Sequence, residues 1–95
     1  MKTLKSVNIV PEYVDLMPDY DKMQEAVLYI SEEREIAIHK CLCGCGNETV
    51  TPLGGGENWE IVKGNGTVSL IGSVGNFNFP CKSHYIITAN KANFV

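Results

Sequence analysis

The chain has 95 residues and a net charge of −3, enough for one domain over residues 1–95 with a thin core. Its eight basic residues are scattered rather than clustered, which speaks against nucleic acid as a partner, and no apolar run approaches the roughly 20 residues that span a membrane. Met1-Lys2-Thr3-Leu4-Lys5-Ser6 is followed by no long apolar run, so no secretory leader is expected and the cytoplasm, a reducing compartment, is the expected location.

Taken in chain order, the pattern is mostly strand. Val7-Asn8-Ile9-Val10 alternates and then meets Pro11. The one helical candidate is Asp19–Glu25, one or two turns at most. Ala26–Ile30 is a short apolar run, and Glu35–His39 alternates polar and apolar as a half-buried strand does. Ser31-Glu32-Glu33-Arg34 between them reads as a hairpin turn. Glu48–Thr51 is a short strand stopped by Pro52, and Gly54-Gly55-Gly56 is a loop. Trp59–Val62 and Thr67–Ile71 flank Gly64-Asn65-Gly66, a tripeptide that tolerates positive φ and so signals a second hairpin. Tyr85–Thr88 is the last clear strand, with a continuation after Asn90-Lys91. Many short strands with Gly and Asn turns predict a small all-β domain of antiparallel strands and hairpins, with little helix.

The four cysteines carry the chemistry. Cys41, Cys43 and Cys45 alternate with Leu42, Gly44 and Gly46, while Cys81 stands far downstream, followed by His84. Thiolates and imidazoles in two clusters suit a closed, structural zinc site that joins distant parts of a small domain. Disulfides are disfavoured by the compartment and by the poor geometry of thiols one residue apart. Two ligand sets are open: all four cysteines, or three of them with His84. In the first, both histidines are left for other work. In the second, a spare thiol could act as nucleophile with His39 as its base.

A serine nucleophile needs a base within hydrogen-bond reach and oxyanion donors opposite. The candidates are Ser69, Ser73 and Ser83, with His39 and His84 as the histidines. Ser73 lies in the turn Gly72-Ser73-Val74-Gly75-Asn76, whose backbone N–H groups could stabilise an oxyanion. Ser83 and His84 are sequence neighbours, which point to opposite faces of a strand. Trp59, Phe77, Phe79 and Tyr85 read as core aromatics around the metal loops, and the acids as solvated surface.

The string His39-Lys40-Cys41-Leu42-Cys43-Gly44-Cys45-Gly46, Thr51-Pro52-Leu53, Trp59, Val68-Ser69-Leu70-Ile71-Gly72-Ser73-Val74-Gly75-Asn76 and Cys81-Lys82-Ser83-His84-Tyr85 resembles one bacterial family, BubE, associated with Bub-type ubiquitination-like operons. The resemblance covers about residues 26–95. It departs at Gly72, where the family has Pro, and at Phe77, where the family has Trp. It implies a zinc-stabilised peptidase; the candidate pair read from this chain's own residues is Ser73 as nucleophile with His39 or His84 as base. Its implied substrate is a ubiquitin-like protein or its conjugates. Competing readings are a non-catalytic zinc-bound interaction module and a zinc hydrolase with an open metal position. Thiolate-rich ligation disfavours the last.

Overall fold

The computed structural model describes residues 6–54, 58–75 and 83–95. Cys81, Phe77 and Phe79, together with Gly55 and Gly56 of the expected loop, lie outside the described residues.

Among the described residues, ten strands run in the order β1 (Ser6–Asn8), β2 (Val10–Tyr13), β3 (Val27–Ser31), β4 (Ile36–Lys40), β5 (Glu48–Pro52), β6 (Glu60–Lys63), β7 (Val68–Ile71), β8 (Val74–Gly75), β9 (His84–Thr88) and β10 (Lys91–Phe94). The expected helix is reduced to a single 3-10 turn, Tyr20–Lys22. One sheet has the order β1-β10-β9-β8, a second β2-β3-β4-β5, and β6 pairs β7. Both expected hairpins form. Ser31 pairs Ile36 across the first turn and Lys63 pairs Val68 across the second.

Three features differ from the sequence reading. The first predicted strand does not stop at Pro11. It divides at Ile9 into two strands in different sheets, with the Ile9 N–H on the Asn90 carbonyl at 2.8 Å and the Val10 N–H on the Ala26 carbonyl at 2.9 Å. Pro11 is tolerated because β2 is an edge strand. Second, β2 pairs β3 in parallel, so the second sheet is mixed rather than antiparallel. The connection from Val14 to Ala26 is long enough to bring the chain back for a parallel pairing. Third, Val74-Gly75, read as part of a turn, is a two-residue strand on β9.

Burial explains the layering. The inner faces of the two sheets share one core that includes Leu28, Ile30 and Ala37 from one and Val74, Tyr85, Ile87 and Ala92 from the other. Every residue of β3 is buried. Its second face carries Val27 and Tyr29, which the 14–23 segment covers through Val14, Met17 and Met23. Asn90 ties β7 to the β9–β10 turn: its N–H donates to the Val68 carbonyl at 2.9 Å and its side-chain oxygen accepts from the Val68 N–H at 2.8 Å.

Ile30→Ala, at a fully buried position, is expected to cost about 2–5 kcal/mol of unfolding free energy in urea titration. Val10→Ala, on an exposed side chain, is expected to change it by no more than about 0.5 kcal/mol.

Candidate functional site

The end of β4 delivers His39, Lys40 and then the cysteine loop. The Cys41 N–H bonds the Asn47 carbonyl at 2.7 Å and the Gly44 N–H bonds the Cys41 carbonyl at 3.1 Å, closing a tight knuckle between β4 and β5. Gly44 sits at φ +91°, a conformation that side chains resist, which is why the loop needs glycine there. The Tyr20 hydroxyl donates to the Gly46 carbonyl, and the Lys40 ammonium lies over the Tyr20 ring, 4.7 Å from its centroid. The 3-10 turn thus braces the knuckle from outside.

The knuckle gathers the sulfurs of Cys41, Cys43 and Cys45 within 4.8 Å of one another. This trio can hold a metal ion, and among the described residues neither histidine belongs to it. Cys41 is fully buried, and burial pushes its thiol up. Its sulfur lies 3.1 Å from the Ser83 hydroxyl and 3.4 Å from the Cys43 sulfur. The Asn47 side-chain amide donates to the Cys45 sulfur at 3.3 Å. Such outer hydrogen bonds orient thiolates and spread their charge.

Strand alternation along Ser83-His84-Tyr85 then sorts three neighbours. Ser83 and Tyr85 are buried, whereas His84 is only half-buried and faces the other way. The Tyr85 hydroxyl lies 2.7 Å from His39 Nε2, an inter-sheet hydrogen bond inside the core. Burial pushes His39 down to about 4, so its ring is neutral at neutral pH. Its Nδ1 finds no hydrogen-bond partner among the described residues.

The three candidate serines separate as well. The Ser69 hydroxyl accepts the Ala89 N–H at 2.9 Å, a structural tie. Ser83 is buried against Cys41. Ser73 is exposed, one residue before β8. The register pairs Val74 with Tyr85 and Gly75 with His84. Val74 and Tyr85 face inward and are buried. Extending that alternation one residue beyond β8 puts Ser73 on the outer face, diagonal to His84. His39, on the inner side, does not share that face.

One partner of Ser73 carried no signal in the sequence. Trp59 Nε1–H donates to the Ser73 carbonyl at 3.0 Å, across 14 residues. Gly72, at φ +111°, lies against the same indole, where an added Cβ would stand 3.1 Å from Cδ1. The proline that the family pattern places at this position cannot adopt that φ.

A family model described as bacterial ubiquitination-like system serine protease (BubE) matches residues 13–95. The chain belongs to the BubE family. No curated protein and no solved structure matches it. BubE proteins are named as serine proteases of a bacterial ubiquitination-like system, and that is the setting for the residues above. No helix among the described residues is long and apolar enough to cross a membrane.

Tyr85→Phe should destabilise the fold by about 1–3 kcal/mol, because it leaves His39 Nε2 buried without a partner. The double variant His39→Phe/Tyr85→Phe should be less destabilised than the two single losses summed, as read from a denaturant double-mutant cycle.

Proposed function

We propose that this BubE member is a Ser–His peptidase in which Ser73 is the nucleophile, His84 the base, and a structural zinc on Cys41, Cys43, Cys45 and Cys81 holds the fold around them. The observation that carries this reading is the β8–β9 register, which gives Ser73 and His84 one outer face. The family description, a serine protease, supports it.

The donor set fits zinc. A tetrahedral thiolate shell with Zn–S bonds of about 2.3 Å has sulfur–sulfur edges of about 3.8 Å. The three described sulfurs, within 4.8 Å of one another, are already near that spacing. Cys81 is two residues from Ser83, whose hydroxyl touches the Cys41 sulfur. Two residues of chain span at most about 7 Å, so a fourth thiolate is within reach. A zinc closed by four thiolates supplies rigidity and charge neutralisation, with no open position for substrate. Ser83 passes that rigidity to β9, and with it to His84.

Ser73 Oγ attacks the carbonyl carbon of the scissile peptide while His84 takes the hydroxyl proton. The tetrahedral adduct collapses, the C–N bond breaks, and the leaving amine takes the proton from His84. Water then adds to the acyl-serine ester with His84 accepting its proton. The carboxylate product leaves and the proton returns to Ser73. His39 holds Tyr85 in the core and takes no part in these transfers.

The substrate fitting this geometry is the extended C-terminal tail of a ubiquitin-like protein, as precursor or conjugate. Among the described residues β8 is an edge strand. An added strand there, pairing through the outward backbone of Gly75 because Trp59 holds the Ser73 carbonyl, would present its peptide bonds in fixed register beside Ser73.

In the zinc-loaded protein, Ser73→Ala should slow cleavage of a ubiquitin-like precursor about a thousandfold or more while leaving the fold intact. If the variant cleaves like the parent, Ser73 is a turn residue. If the parent binds the precursor without cleaving it, the chain is an interaction module. Elemental analysis should find one zinc per chain, and Cys43→Ser should lose both the metal and cooperative unfolding.

A further inference from the structure

We infer that Trp59 is the positioning residue of the nucleophile: its indole N–H and ring fix the Gly72–Ser73 backbone, and so fix where the Ser73 hydroxyl stands. This rests on the reading of Ser73 as nucleophile.

Ser73 needs such a brace. It lies just outside a strand of two residues, and its predecessor is a glycine at φ +111°. The β8–β9 ladder leaves its carbonyl unpaired by sheet partners. The Val95 N–H donates to the His84 carbonyl at 2.9 Å, so His84 turns its backbone polar groups toward β10 and Tyr85 turns its own toward β8. Val74, opposite Tyr85, uses that side. The flanking Ser73 then directs its carbonyl to the open edge, and there the Trp59 N–H meets it at 3.0 Å.

Trp59 is itself anchored. Its own N–H donates to the Pro52 carbonyl at 2.9 Å, and it bridges Leu53 at the end of β5. Its ring packs on the shared core. A side chain fixed to the second sheet thus reaches the edge of the first. Two separate contacts converge on successive residues, the hydrogen bond on Ser73 and the ring on Gly72. Misplacement of a reacting group by about 1 Å costs on the order of a hundredfold in rate. The bond to the Ser73 carbonyl also polarises the peptide that carries the Val74 N–H.

Trp59 is the chain's one tryptophan, which makes the test clean. The probe is an alkyl fluorophosphonate. Ser73 Oγ forms a bond to phosphorus, the P–F bond breaks, fluoride leaves, and the hydroxyl proton passes to His84. Two variants are compared with the parent: Trp59→Phe, and full replacement of tryptophan by benzothienylalanine, which keeps the ring shape and removes the N–H donor. Mass spectrometry locates the adduct and labelling kinetics separate the inactivation rate from probe binding. Both variants should lower the maximal inactivation rate about tenfold or more, with the probe's binding constant changed less than about threefold. In the parent, adduct formation should shift Trp59 emission in step with labelling. Parental rates in the folded benzothienylalanine protein would overturn the positioning role even with Ser73 labelled. If Trp59→Phe fails to fold, the isosteric replacement still decides. A parent in which Ser73 takes no label, and in which Ser73→Ala cleaves normally, would instead remove the nucleophile reading and this inference with it.

Discussion

Strand alternation at the start of β9 is the constraint on which the site depends. Three consecutive residues cannot face one way, so Ser83 and Tyr85 point into the protein and His84 points out. The inward pair is tied at two places on the other sheet: Ser83 to the Cys41 sulfur at 3.1 Å and Tyr85 to His39 at 2.7 Å. These ties fix the rotation of β9 about its own axis. A slip of one residue would bury His84 and expel Tyr85 from the core. The outer position of His84 is therefore a consequence of the two inner bonds, and Gly75 of β8 lies opposite it.

The same bonds explain why so small a domain invests in a cysteine knuckle. The core is thin, and its centre contains a histidine, two threonines and a tyrosine hydroxyl. Thr51 satisfies its hydroxyl on the Ala37 carbonyl at 2.9 Å, but His39 keeps one nitrogen unpartnered among the described residues. Polar groups of this kind specify a register more than they add stability. A metal held on the neighbouring sulfurs would supply folding free energy that such a core lacks. In the proposed reading, metal and reacting pair would have separate tasks on opposite sides of β9: the sulfurs would hold the strand, and the outer face would meet the substrate.

Much of this was legible in the sequence, for local reasons. Turn chemistry at Glu32–Arg34 and Gly64–Gly66 located both hairpins, because the residues that accept a turn are few. The C-x-C-G-C-G spacing located the sulfur cluster, since ligands that close in sequence on a glycine-bent loop are close in space. What stayed hidden was non-local. The parallel β2–β3 pairing depends on where the 14–26 connection packs, and period-2 patterning is the same for either direction. Val74-Gly75 is too short to show a period and becomes a strand only because β9 is beside it. Between the two histidines the sequence offered no choice, and their faces separate only once β4 and β9 are in place. Trp59, read as a core aromatic, does pack on the core. Its donor reaches a carbonyl 14 residues on, a contact that no spacing rule marks.

The central claim is that Ser73 and His84 form one reacting pair on the outer face of β8 and β9. A crystal structure of the zinc-loaded protein with Ser73 intact, captured with a peptide aldehyde, measures it directly. We expect a His84 ring nitrogen about 2.6–3.2 Å from Ser73 Oγ, with His39 still on Tyr85 inside the core. A His84 ring bound to the metal, or turned away from a Ser73 that carries no aldehyde, would contradict the account.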